Sequence, residues 1–345
     1  MLCTTVIVIA YLWYSFLHTP MYISTREELV INRGTTIGHI AHELETRNII
    51  KSARLLRYLA WHRGDANKIK AGEYLLEPNL TPITFLQKIV DGRVIQYSFT
   101  IIDGWKFSQV LNALHNQAKI VNTLNGCGFE KIAEKLKQNT ITSSIEGNKD
   151  NVISNLEGMF WPDTYFYTAG TTDLELLLRA YKIMQVRLQQ EWENRDTSIQ
   201  LKDAKEALIL ASILEKETSI QNEYYMISGV FHKRLQMNMS LQADPTVIYA
   251  LSQNADFKMP ITKADLNIDS PYNTYKYPGL PPTPIAIPSF QALHAALHPS
   301  NGAALYFVAN GKGGHVFSMS LQEHNKAVME YRAKVLQEQN PKDIL

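Results

Sequence analysis

The first 25 residues carry no charged side chain. From Leu2 to Leu17 the run is almost continuously apolar, and Met21 to Ile23 extends it past His18, Thr19 and Pro20. A helix needs about 20 predominantly apolar residues to cross the hydrocarbon core of a bilayer, so the segment just reaches. A cleaved signal peptide needs a basic start and a small-residue cleavage site, and neither is legible here. The expectation is a single transmembrane helix over residues 1–25. Its orientation is not readable from flanking charge.

Beyond that run the 345-residue chain reads as globular. Hydrophobic residues make up 45% and charged residues 19%, a balance that excludes general disorder. The length accommodates two or three compact units. With 34 basic and 33 acidic residues the formal net charge is +1, so no basic excess points to nucleic acid. Cys3 lies in the apolar run and Cys127 stands between two glycines. Two isolated cysteines build neither a zinc site nor a disulfide framework. The histidines show no metal-ligand spacing on this reading, so no metal and no cofactor is expected.

Residues 26–95 spell a short βααβ unit. Residues 28–34 read as a strand running into a turn. Thr36 caps a helix whose apolar face is Ile37, Ile40, Ala41 and Leu44. Ser52 caps a second, with Leu55, Leu56 and Leu59 inward and Gly64 at its end. Gly72–Leu76 is a second strand, and Thr81-Pro82 opens a third helix carrying Phe85, Leu86 and Ile89 and closed by Gly92. The plan resembles the LysM-type module that binds cell-wall glycans. The plainer reading is a spacer that lifts the next domain off the membrane.

Residues 96–345 read as a mixed α/β domain, so the fold class is α+β. A strand over 97–102 and a helix over 107–115 lead into a polar stretch, 116–155, expected as loops with a short helix over 129–136. An aromatic-dense segment, 156–165, follows. Asp173 then caps a long helix over 174–194.

The stretch 204–218 reads as a helix apolar on nearly every side, which is normally a buried one. Yet it ends in Glu215-Lys216-Glu217. Two residues apart on a helix is about 200° of rotation, so the two glutamates face different ways and only one can share a pocket. A carboxyl half-buried at the end of such a helix has a raised pKa, because desolvation disfavours its charged form. A general acid that protonates a glycosidic oxygen near neutral pH needs that property. Taken alone, a solvated surface Glu-Lys-Glu cluster is the stronger reading.

In the C-terminal third, Asp244 reads as the N-cap of a helix with Pro245 at its first position. Residues 270–275 and 279–288 are too rich in Pro, Tyr and Asn for regular structure and too apolar for a loose linker. Rigid, aromatic-lined segments of this kind suit carbohydrate clefts. Residues 305–309 form a strand, Asn310-Gly-Lys-Gly-Gly314 a tight turn, and His315–Ser318 the returning partner. The glycines sit in a hairpin without a Walker pattern, so they are no phosphate loop.

Ala211-Ser-Ile-Leu-Glu-Lys-Glu-Thr218, Leu241-Gln-Ala-Asp-Pro-Thr246, Tyr272-Asn-Thr-Tyr275, Gly279-Leu-Pro-Pro282 and Gly311-Lys-Gly-Gly-His-Val-Phe317, in this order, resemble the YceG-like endolytic murein transglycosylases. The 156–165 segment, the N-terminal run and the LysM-like unit are similar too, so the resemblance covers almost the whole chain. It implies that Glu217, not Glu215, is the catalytic acid/base. It also implies cleavage of the MurNAc-GlcNAc bond in nascent peptidoglycan strands, leaving 1,6-anhydro-MurNAc ends and terminating glycan polymerisation. The implied setting is single-pass in the cell inner membrane, with the catalytic domain periplasmic and membrane-bound peptidoglycan synthases nearby.

Such a reaction uses one carboxyl group, and no second one stands out. Asp244 is the candidate, but the helix-cap reading already accounts for it. Gln242, Tyr272, Asn273 and Tyr275 have the chemistry to bind sugar hydroxyls and faces, with loop packing the equal alternative. His315 could hydrogen-bond substrate or serve the fold. The chain departs from the family picture at its start, where basic residues expected before the apolar run are missing. A non-catalytic, membrane-anchored peptidoglycan-binding or scaffold protein is the alternative, and the joint retention of Glu217 and its neighbouring motifs argues against it. A conventional hydrolase using water and a second carboxylate is the third reading.

Overall fold

The computed structural model of the chain describes residues 2–140, 155–252 and 261–339. Of the polar stretch expected as loops, residues 141–154 lie outside the described residues. The chain divides into two compact units. One is Met1–Phe99 with Ala118–Val121 and Phe166–Thr171, and the other comprises Thr100–Gln117, Asn122–Tyr165 and Thr172–Leu345.

Helix α1 (Leu2–His18) is shorter than the expected 25-residue span. Its 17 residues reach about 25 Å. The Thr19 N–H still bonds the Ser15 carbonyl at 2.8 Å, but Pro20 has no N–H with which to continue. Met21 and Ile23, counted in the apolar run, are instead buried in the core of the first unit. Among the described residues no helix is long and apolar enough to cross a membrane. Trp13, Phe16 and Leu17 pack on the same core, whereas Val6, Ile7, Ile9, Tyr11, Leu12 and Tyr14 are more than half exposed.

The rest of the first unit follows the local signals closely. Strand β1 (Glu27–Ile31), helices α2 (Ile37–Thr46) and α3 (Ala53–His62), strand β2 (Gly72–Leu76) and helix α4 (Pro82–Asp91) come in that order. Strands β1 and β2 pair antiparallel, with Glu27 opposite Leu76 and Ile31 opposite Gly72. The Thr36, Ser52 and Thr81 side chains each accept the expected N-cap bond, and Gly92 ends α4 in the left-handed conformation at φ 76°. Leu55 is a correction, because it lies exposed while Ala53, Leu56, Leu59 and Ala60 face inward. Fully buried Tyr74 fills the middle and donates its hydroxyl to the Lys70 carbonyl at 2.7 Å. Strands β3 (Tyr97–Thr100) and β4 (Thr164–Tyr167) form a second two-stranded sheet.

The second unit contains α5 (Phe107–His115), α6 (Phe129–Thr140), α7 (Asp173–Glu193), α8 (Ala204–Glu217), α9 (Gln221–Gln236), α10 (Asp244–Leu251) and α11 (Phe290–Leu297). The antiparallel hairpin β5 (Tyr306–Ala309) and β6 (His315–Ser318) and the terminal helix α12 (Leu321–Gln339) complete it. Helix α8 lies at the centre, packed by α7, α9, α10 and α11. Every residue from Ala207 to Leu214 is buried, which is why its sequence lacks a polar face. The cap of α7 is Thr172, in a capping box with Glu175, not Asp173. Asp173 is fully buried, and its carboxylate accepts the Thr123 N–H at 3.0 Å and the Leu124 N–H at 2.9 Å. The mixed α/β class is as expected.

Candidate active site

Helix α8 is held along its length before it delivers its last turn. Asp203 caps its start by accepting the Glu206 N–H at 2.8 Å. Midway, the Ser212 hydroxyl accepts the Ile285 N–H at 3.0 Å, fastening the proline-rich segment to the helix. The helix stops at Thr218, whose backbone is extended at φ −147° and ψ 154°. Glu217 is thus the final residue of a buried rod, with little freedom of its own.

The two glutamates of the Glu-Lys-Glu run meet different surroundings, as the helical rotation requires. Glu215 accepts the N–H of Ser289, the N-cap residue of α11, at 2.9 Å. Burial pushes its pKa up, and the Ser289 hydrogen bond works against that. Its carboxylate is occupied in holding α11. Glu217 keeps an accessible edge, yet its carboxyl lies deep enough among protein atoms for burial to dominate. Burial, with the negative charge of Asp244 adding to it, pushes the Glu217 pKa up to about 8. Among the described residues nothing donates a hydrogen bond that would offset this.

Asp244 is not the helix cap that its sequence position suggests. The N-cap of α10 is Ala243, and Asp244 is already helical. Its carboxylate accepts the hydroxyl of Tyr275 instead. Burial and the Asp244 hydrogen bond both push the Tyr275 pKa up, and the charge of Glu217 adds to the effect. Glu217, Asp244 and Tyr275 therefore form one electrostatic cluster drawn from the end of α8, the start of α10 and the loop at 272–275.

Backbone stitching joins the last two pieces. The Gln242 N–H bonds the Thr274 carbonyl at 3.1 Å, and the Ala243 N–H bonds the Thr274 hydroxyl at 3.0 Å. Gln242 turns through a positive φ of 55° and is exposed, with its side-chain oxygen 3.3 Å from Arg234 Nη1. Tyr272 is buried against Tyr249, ring centroids 4.9 Å apart, and its hydroxyl meets that of Thr283 at 2.7 Å. Asn273 is fully buried. Its amide donates to the carbonyls of Leu266 at 3.0 Å and Ile268 at 2.8 Å, and its oxygen accepts the Tyr275 N–H. Both amide hydrogens are spent on the loop, leaving none for a sugar.

His315 opens β6 and is clasped by Glu223 of α9. One Glu223 oxygen accepts the His315 N–H at 2.8 Å, and the other lies 2.7 Å from Nδ1. Thr218, directly after Glu217, donates its hydroxyl to Glu223 at 3.0 Å. The glycine before His315 has a reason in this contact, since a Cβ at Gly314 would sit 2.7 Å from Glu223 Oε1. Burial pushes the Glu223 pKa up, but the His315 and Thr218 bonds outweigh it and the net shift is downward.

Sequence reasoning passed over Glu157. It is buried, accepts the Phe107 N–H at 2.7 Å and the Tyr249 hydroxyl at 3.2 Å, and burial pushes its pKa up to about 7. The available signal was an acid at the start of an aromatic segment. Of the three glutamates raised by burial, Glu157 and Glu215 have backbone donors and a job in the fold. Glu217 has neither, and its buried, unbonded carboxyl sits beside a second carboxylate, the kind of environment found where an acid is kept protonated for chemistry.

Comparison with known proteins bears on the same residues. The family model described as the YceG-like family matches residues 29–330. A Bacillus subtilis (strain 168) protein named endolytic murein transglycosylase is 32% identical over 330 residues, covering 93% of this chain and 90% of that protein. A Streptococcus pneumoniae protein of the same name is 27% identical over 322 residues, 87% of this chain but 57% of the relative. The crystal structure of a YceG-like protein from Listeria monocytogenes is similar at TM-score 0.54 and 30% identity, over 87% of this chain and 98% of that one. With the match running from the first strand into the last helix, the chain belongs to the YceG-like family.

Proposed function

We propose that the protein is an endolytic murein transglycosylase with Glu217 as its acid/base. The observation that carries this reading is the Glu217 carboxyl, desolvated, without a hydrogen-bond donor among the described residues, and facing the charge of Asp244. The names of the relatives from Bacillus subtilis and Streptococcus pneumoniae support the same activity.

In the proposed reaction Glu217 gives its proton to the glycosidic oxygen as the bond from MurNAc C1 breaks. The carboxylate left behind takes the proton of the same sugar's 6-hydroxyl as O6 bonds to C1. The product is a 1,6-anhydro-MurNAc end, no water is consumed, and the acid is restored. Asp244 raises the Glu217 pKa by its charge, and Tyr275 holds Asp244. Exposed Gln242 is a candidate for contact with sugar hydroxyls. Cleavage within nascent strands would terminate their polymerisation.

The bare apolar sides of α1 support attachment to a membrane, with the second unit on the periplasmic face beside peptidoglycan synthases. The βααβ arrangement of the first unit supports a LysM-like glycan contact there. Asp244 is also the one feature that favours a hydrolase, in which it would activate water.

The test is mass spectrometry of peptidoglycan after incubation with the full chain, wild type beside Glu217→Gln. Anhydro-MurNAc ends that appear only with the wild type are expected. Reducing MurNAc ends would make the enzyme a hydrolase, and no new ends from folded protein given uncrosslinked strands would make it a scaffold.

A further inference from the structure

Read by sequence alone, the ten histidines of the chain suggest no metal. The fold brings two of them, His294 and His298, together with a carboxylate. They stand four residues apart, on α11 and at its C-cap, so they share one side of the helix. Glu191, in the last turn of α7, reaches the same place. One ligand atom from each of the three lies within 4.8 Å of the other two.

The contacts among them satisfy no simpler arrangement. Glu191 Oε2 and His294 Nδ1 are 3.8 Å apart, too far for a hydrogen bond. The two imidazoles meet edge to face with centroids 4.3 Å apart. Among the described residues His294 Nδ1 is shut off from solvent and has no hydrogen-bond partner, which is costly for a buried polar atom. The surroundings are stiff, since Ala292, Leu293, Ala295, Ala296 and Leu297 of α11 are all fully buried.

We propose that Glu191, His294 and His298 form a binding site for a divalent transition metal, best matched by zinc, that clips α7 to α11. Two imidazoles and a carboxylate without a thiolate are a donor set zinc accepts, with the fourth position left to water or an incoming ligand. Zinc bonds of about 2.0–2.1 Å place tetrahedral ligand atoms about 3.4 Å apart, which small side-chain rotations supply from the observed spacing. Calcium and magnesium fit poorly, because they prefer oxygen ligands. The clip would brace α11, one of the helices packed on α8, and it stands independently of the reaction proposed for Glu217.

The test uses the untagged full chain in detergent, stripped with a chelator and dialysed to equilibrium against Zn²⁺. Zinc per chain is then counted by atomic spectroscopy. Wild type should hold one zinc, with its melting temperature raised by Zn²⁺ and unmoved by Mg²⁺. His298→Asn and Glu191→Gln should each weaken binding by at least about 10–100-fold, the loss seen when even outer partners of a metal are removed. Both variants should melt like wild type when metal-free. Failure of wild type to bind, or undiminished binding by folded variants, would overturn the site. Should one variant not fold, the other together with the Zn²⁺-against-Mg²⁺ comparison on wild type decides the matter.

Discussion

Tyr275 donates its hydroxyl hydrogen to Asp244, and the negative charge so held is the one that helps keep the proton on Glu217. The phenol fixes the position of that charge without neutralising it. The charge acts on Glu217 and on Tyr275 alike, so the property that matters belongs to the cluster. Mutations at either partner should therefore be read through the behaviour of Glu217.

Replacing the acid itself is the first case. Glu217→Gln should reduce formation of anhydro ends by about 10²–10⁴-fold, the usual contribution of a general acid, and leave the fold intact. Glu215→Gln should retain most of the activity, because an amide oxygen can still accept the Ser289 N–H. Muropeptide analysis of the two purified variants checks the ranking, and the opposite order would move the acid to Glu215.

For Asp244→Asn the expected change is in pH dependence. Glu217 must be protonated to act, so kcat/KM of the wild type should fall as pH rises through about 8. Removing the Asp244 charge lowers the Glu217 pKa, and the falling limb should move to lower pH. A pH–rate profile measures this directly. An unmoved limb would separate Asp244 from the acid.

Stability should carry the same signature. A carboxyl whose folded pKa is raised holds protons that the unfolded chain has released. Stability is then lost as pH rises from the unfolded value of 4.5 through about 8 for Glu217 and about 7 for Glu157. Buried His232 works the other way, since burial lowers its pKa and its contribution grows as pH rises through 6.5. Comparing Glu217→Gln with wild type isolates Glu217. Between pH 4.5 and pH 8 the variant should lose less stability than wild type, as read by chemical denaturation.

Gly229, within α9, is a test of packing away from the acid. A Cβ there would lie 2.3 Å from the Ser300 carbonyl oxygen, a backbone atom held by the Ser300 N–H bond to Tyr225. Gly229→Ala should destabilise the second unit by about 1–3 kcal/mol, measured by denaturant unfolding. A neutral substitution would mean that the loop at 299–301 yields more readily than its hydrogen bond suggests.

The first unit was legible because its signals are local. Thr36, Ser52 and Thr81 each bond an N–H three residues on, and Gly92 needs only its own φ. Asp173 and Asp244 were misread in the same way and for the same reason. Each opens a helix and so resembles a cap, but a partner far along the chain takes the carboxylate: Thr123, 50 residues away, for the first and Tyr275, 31 residues away, for the second. The rotation between Glu215 and Glu217 was readable, whereas the donor that occupies Glu215 comes from Ser289, 74 residues on. Asn273 looked like a ligand for sugars because residue type alone does not say whether an amide is already engaged. The apolar run was carried too far along the chain because apolar Met21 and Ile23 are equally at home in lipid and in a protein core.

Helix α8 has one more consequence. A helix with one wet side tolerates change at every third or fourth position, and that rhythm lets a protein drift without harm. From Ala207 to Leu214 this helix has no such side, so a saturation scan should show an unbroken band of intolerance where other helices show stripes. Adjustment of the enzyme to new substrates would then have to come from the loops that surround the acid, because from Ala207 to Leu214 the rod that carries it leaves no position free to vary.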